Sequence, residues 1–98
     1  LKPLTQAMAD GDHIWAVIRS SATAHGGRAN GYATPSLNAQ AKVMKRSLDH
    51  IGADAQSVGY VEAAANGSSL SDAIEIAALN QVFGSSSVKK KYVLGSVK

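Results

Sequence analysis

The sequence predicts an α/β fold, with helices layered against a parallel or mixed sheet. Three observations carry that prediction. Helical and strand-like patterns alternate along the 98 residues in the order α-β-α-β-α-β, a succession in which helices serve as crossovers between strands. The first strand pattern opens on the near-continuous apolar run Ile14-Trp15-Ala16-Val17-Ile18, which fits a strand covered on both faces. The composition is 45% hydrophobic and 17% charged, with few aromatics and abundant Ala, Gly and Ser, as in ordinary α/β domains.

Each element has its own local reason. Pro3 suits a first helical position, and Leu4, Ala7 and Met8 share a face, so a short helix is expected to reach Ala9 before Asp10-Gly11-Asp12 stops it. The strand beginning at Ile14 extends through Ser20-Ser21-Ala22-Thr23-Ala24. Gly26, Gly27, Asn30, Gly31 and Pro35 then mark a loop long enough, at about ten residues, to carry function. Ser36 is placed to cap the clearest helix, where Leu37, Ala41, Met44, Leu48 and Ile51 follow the helical period and Gly52 ends the run. Val58-Gly59-Tyr60-Val61 reads as the second strand. Asp72, with Glu75 three residues on, resembles a capping box opening a helix through Phe83. That helix is apolar nearly all round (Ile74, Ile76, Ala77, Ala78, Leu79, Val82) and is expected to be largely buried. Gly84-Ser85-Ser86-Ser87 breaks it, and Tyr92-Val93-Leu94 starts a third strand.

Composition narrows the function. The chain has no Cys, which excludes disulfides, thiolate metal sites and thiol catalysis within it and fits a cytoplasmic location. No apolar run approaches the roughly 20 residues of a membrane span, and no signal peptide follows Leu1-Lys2-Pro3. The net charge is +3, with Lys89, Lys90, Lys91 and Lys98 gathered near the end. A nucleic-acid surface spreads its basic residues over one face and interleaves aromatics, so this run reads as a solvated loop and no nucleic-acid partner is assigned. His13, His25 and His50 have no companion at metal-ligand spacing, so no metal is assigned. Gly26-Gly27-Arg28 lacks any phosphate-loop fingerprint around it. The absent initiator Met and the strand-like ending Leu94-Gly95-Ser96-Val97-Lys98 suggest a chain interrupted at both ends.

The stretch from Val61 to Glu75 stands apart. A short strand ends in small residues, turns at Gly67 and opens a helix carrying two acids, the geometry in which α/β folds place binding and catalytic groups.

The order and wording of these segments resemble the C-terminal half of a β-ketoacyl synthase domain from a modular polyketide synthase. Residues 1–19 look like the family's helix, DGD turn and long strand, and His25-Gly26-Gly27-Arg28-Ala29-Asn30-Gly31-Tyr32 looks like its glycine-rich loop. Glu62-Ala63 begins its EAHGTGT segment, Asp72-Ala73-Ile74-Glu75 follows its GDPIE pattern, and Leu94-Gly95-Ser96-Val97-Lys98 its LGSVK.

This resemblance implies a thiolase-like fold fragment, layered α-β-α with a mixed sheet, in which residues 1–98 are the C-terminal portion of a ketosynthase domain truncated at both ends. Members condense acyl units through a Cys, two His and a Lys, on substrates carried by the phosphopantetheine arm of acyl carrier protein. The implied partners are that carrier protein, the remainder of the domain and, in the parent, a second subunit; no cofactor is bound directly. The Cys belongs to the family's N-terminal half and the second His follows LGSVK. The first His belongs to EAHGTGT, and Ala64 stands at its position. The family Lys is Lys98. Asp72 and Glu75 occupy positions of an acidic pair that helps hold that Lys and its surroundings, and Asn66, Gly67 and Ser68 would face the pantetheine arm.

Ala65 and Asn66 depart from the motif's Gly and Thr, and an Ala methyl at position 64 cannot donate a hydrogen bond. The resemblance therefore points to a non-elongating ketosynthase that holds or transfers acyl groups, and the 98-residue chain alone is expected not to condense. The alternative is a non-enzymatic carrier-protein-binding or scaffold module. Plainer roles stand beside these: Asp72 and Glu75 as helix-start acids, and Lys98 as a frayed terminal residue.

Overall fold

The computed structural model describes residues 1–28, 31, 34–84 and 92–98. Among them run α1 (Leu4–Ala9), α2 (Leu37–His50), β1 (Tyr60–Glu62), α3 (Ser69–Phe83) and β2 (Val93–Gly95), with a 3-10 turn (Ala55–Ser57) between α2 and β1. The strands pair in parallel, with Tyr60 opposite Val93, Val61 opposite Leu94 and Glu62 opposite Gly95. Hydrogen bonds from Val93 N to the Gly59 carbonyl (2.9 Å) and from Ala63 N to the Gly95 carbonyl (2.8 Å) extend the ladder at both ends. Parallel neighbours need a long crossover, and α3 lies within it, as the alternation of patterns predicts.

The helix ends follow their local chemistry. Ser36 Oγ accepts from Ala39 N at the start of α2. At its end Gly52, with φ of +60°, donates to the Asp49 carbonyl while Ala53 N reaches back to Leu48. This Schellman arrangement requires a left-handed residue after the helix, and α1 closes the same way through Gly11. Lys2 braces that first turn by pairing with Asp10 and Asp12, which raise its pKa.

The core forms where α2 packs on α3. Ala41, Ala78 (0% exposed) and Leu79 (2%) are buried there, and small side chains on both helices let their axes come close. Phe83 and Tyr92 hold the end of α3 to the start of β2, with ring centroids 5.1 Å apart.

The structure corrects several expectations. Residues 12–27 form neither helix nor strand, because a strand exists only through a ladder and the 14–24 run has no paired neighbour among the described residues. Its apolar side chains, expected to be covered, are open: Trp15 is 90% and Ile18 68% exposed. Ser47 Oγ, donating to Ser20 Oγ at 3.2 Å, ties this segment to α2. Val58 belongs to the end of the 3-10 turn, which Asp54 caps by accepting from Gln56 N, so β1 begins at Tyr60. The sheet among the described residues is a parallel pair. Pro3 lies just outside α1 as its cap. Ser68 caps α3, four residues earlier than a capping box at Asp72 would start it. Leu70 and Ile76 of α3 are exposed; a helix apolar all round has no stripe to select one buried face. The serine break at 85–87, Lys89, Lys90 and Lys91, and Ala29, Asn30 and Tyr32 of the glycine-rich loop lie outside the described residues.

Candidate functional site

The register that sets Glu62 opposite Gly95 brings both strands to an end at one level. The chain leaves β1 into the turn 63–68 and leaves β2 into residues 96–98, side by side. Beyond the carboxyl ends of parallel strands is where open α/β sheets bind ligands, and the residues singled out from the sequence gather there.

Two acids of α3 hold the turn by its backbone. Glu75 accepts from Ala64 N with one oxygen (2.8 Å) and from Ala65 N with the other (3.0 Å). Asp72 accepts from Gly67 N (3.1 Å), and Ser68 Oγ accepts from Ser71 N (3.3 Å) to cap the helix. Three successive turns of geometry follow from these bonds: Ala64 is fixed at the mouth of the site, Ala65 is held at φ +38°, and the chain reverses through Gly67 at φ +80°. A left-handed Ala costs on the order of 1 kcal/mol, so the clamp maintains a conformation that the residue itself opposes.

A second acid network joins the strands. Glu62 accepts from Val97 N with one carboxylate oxygen (2.7 Å) and from the Tyr60 hydroxyl with the other. The Tyr60 bond first, and the Val97 amide second, hold the Glu62 carboxyl below its ordinary range against a small opposing effect of burial. The same bond, with burial and the carboxylate charge behind it, pushes the Tyr60 phenol up. Next to Val97, Lys98 Nζ donates to Asn66 Oδ1 at 2.8 Å.

Ala64, Asn66, Gly67, Ser68, Asp72, Glu75 and Lys98 therefore lie together at this edge. Asp72 and Glu75 hold the turn's backbone, and no ion pair joins either to Lys98 among the described residues; the residue that meets Lys98 is Asn66. Sequence reasoning missed Tyr60 and Glu62. Their signal was their spacing, since residues two apart on a strand share a face. Chemically the site offers an ammonium, a carboxamide and a backbone held by acids. Its one hydroxyl among the turn residues, Ser68, serves the helix cap, and nothing on these residues provides an activated nucleophile. Clefts among the described residues also lie elsewhere, including one of about 660 Å³ beside Lys42, Lys45 and Gln81 and one of about 810 Å³ beside Leu4, Trp15 and Ile18.

Comparison with known proteins places this geometry. The family described as beta-ketoacyl synthase, C-terminal domain, matches residues 15–98. The chain is 44% identical over 99 residues to polyketide synthase PksL of Bacillus subtilis strain 168, and 46% identical over 99 residues to PksR of the same organism. Each match covers the whole chain, which spans only 2% of PksL and 4% of PksR. Among solved structures it is similar to the oxazolomycin ketosynthase domain OzmH KS8 of Streptomyces albus JA3453, with a TM-score of 0.89, 41% identity, and coverage of 99% of this chain and 26% of that one. It is likewise similar to the ketosynthase from module 6 of the bacillaene synthase of Bacillus subtilis 168, with a TM-score of 0.91, 36% identity, and coverage of 99% and 18%. The fold is thus the thiolase-like α/β fold of ketosynthases, and the chain belongs to the β-ketoacyl synthase C-terminal domain family in its polyketide synthase form.

Proposed function

We propose that this chain serves a polyketide synthase ketosynthase domain that accepts acyl thioesters from the phosphopantetheine arm of acyl carrier protein and holds or transfers them without forming a carbon–carbon bond. The observation that carries the reading is Ala64. Its backbone is clamped at the strand end by Glu75, so the position is built, yet its side chain is a methyl where the family motif has an imidazole. That imidazole helps stabilise the charge that develops during decarboxylation and condensation, and loss of one positioned donor costs about 10²–10³ in rate. Asn66, Gly67 and Ser68 are exposed beside it. The Asn66 amide nitrogen and the Ser68 hydroxyl hydrogen suit the amide and carbonyl groups of a pantetheine arm, and Lys98 adds a positive charge at the same edge.

The test uses the complete ketosynthase domain as its gene encodes it, supplied with acyl-loaded and malonyl-loaded carrier protein and followed by intact mass. Acyl transfer onto the domain without a β-ketoacyl product is expected. Ala64→His is expected to bring condensation up, within the same 10²–10³ range. Efficient condensation by the unaltered domain would overturn the non-elongating reading, and failure to accept any acyl group would overturn acyl handling.

A further inference from the structure

We infer that Tyr60 and Glu62 are positioning residues for Lys98, closing a polar clasp across the ends of the two parallel strands. The Glu62 carboxylate is used on both oxygens, one taking the Val97 amide at 2.7 Å and the other the Tyr60 hydroxyl. Val97 directly precedes Lys98, so the bond fixes the backbone from which the lysine departs. Thirty-two residues away in sequence, Asn66 Oδ1 receives the other end of that lysine at 2.8 Å. Lys98 is therefore held at its backbone by β1 and at its ammonium by the turn that follows β1.

Gly95 is the third part of the clasp. Tyr60 crosses β2 at this residue, and a Cβ there would collide with the Tyr60 hydroxyl and lie 3.1 Å from ring carbon Cε2. The absence of a side chain at position 95 lets the phenol reach Glu62. Two strands of three residues each have few ladder bonds to keep their ends aligned, so a cross-strand carboxylate bridge has a large share in setting where residues 96–98 lie.

The inference rests on reading Lys98 as a functional lysine of the ketosynthase site. Its test is chosen to fail separately: lysine acylation is read, not condensation, so a negative result here leaves the proposed function standing. The complete domain is treated with limiting acetic anhydride, and peptide mass spectrometry gives the acetylation of Lys98 relative to Lys42, an exposed lysine of α2. Glu62→Ala is expected to raise the Lys98 ratio on the order of fivefold, the scale for losing a charge-assisted hydrogen bond in a solvent-exposed setting. Tyr60→Phe, which removes one oxygen and spares the packing, is expected to raise it by a smaller factor and covers the case in which Glu62→Ala fails to fold. Glu62→Gln keeps an acceptor for Val97 and is expected to stay near the unaltered ratio. An unchanged ratio in Tyr60→Phe and Glu62→Ala, or equal ratios in Glu62→Gln and Glu62→Ala, would overturn the clasp.

Discussion

The strand-end region and the apolar run near the N-terminus are organised by different forces. Around the strand ends, Glu62, Asp72, Glu75 and Ser68 each accept from a backbone amide, and three of these bonds span ten residues or more. From Ile14 to Ile18 the chain instead presents apolar side chains to solvent, and the described support for Trp15 is an edge contact with the His13 ring at 4.3 Å. A hydrogen bond is complete once two groups meet, so a turn and a helix start can satisfy one another within one stretch of chain. Hydrophobic burial is complete only when a second layer covers the first. The polar region thus satisfies its own groups, and the apolar run lies open to solvent.

Removing Glu75 should break that comparison most. Glu75→Ala leaves the Ala64 and Ala65 amides without their acceptor and frees a turn that includes a left-handed Ala. Discounted for partial exposure, losing two bonds to a charged group costs about 2 kcal/mol. Amide hydrogen exchange in the complete domain should show residues 64 and 65 opening about 30-fold more readily, with Ala41 and Ala78 little changed. Equal loss of protection in the α2–α3 core would mean that the clamp and the core unfold as one unit.

A change of opposite sign sharpens the same point. Ala65→Gly relieves the positive φ, offset in part by the greater freedom of glycine in the unfolded chain, and should stabilise the domain by about 0.5–1 kcal/mol. Urea denaturation reads this as a higher midpoint at unchanged slope. A loss of stability would show that the Ala65 methyl makes a packing contact worth more than its strain.

The parts legible in the sequence are those set by short-range rules. The period of Leu37, Ala41, Met44 and Leu48 gave α2, Gly52 its end, and the α–β alternation the parallel pairing. The start of α3 differs from the one the sequence predicts because Ser68 and Asp72 both qualify as capping residues by type, and only the bond from Ser71 decides between them. The 14–24 strand fails for the opposite reason, since an apolar run records a preference for burial and does not supply the neighbour. In the site, the motif positions located Ala64, Glu75 and Lys98. Which groups touch, above all Asn66 with Lys98 and Glu62 with Val97, depends on strand register that no local pattern encodes.

Acidity should loosen the polar region from one edge. Glu62 has a folded-state pKa below its ordinary 4.5, so its contribution is complete above that value and fades as pH falls through the lower folded one. Tyr60 has a pKa raised above 10.0, so its contribution is complete below that value and fades as pH rises through the higher folded one. The Val97 amide proton shift should therefore stay flat between these limits and move at both ends. A midpoint at the ordinary carboxylate value would mean that Glu62 gains nothing from its two partners.

The smallest effect on stability is expected in the apolar run. Trp15 is the one tryptophan of the chain and is 90% exposed, so Trp15→Ser in the 98-residue chain should change its stability by no more than about 0.5 kcal/mol, as at other surface positions. Its tryptophan emission should be quenched freely by acrylamide, while the complete domain should protect the same ring and lose stability on the same substitution. The contrast follows from where the burial comes from: a side chain without a second layer contributes nothing until one arrives. Protection of Trp15 in the 98-residue chain at low concentration would show that the run folds back on its own helices, and protection that grows with concentration would show one copy covering another.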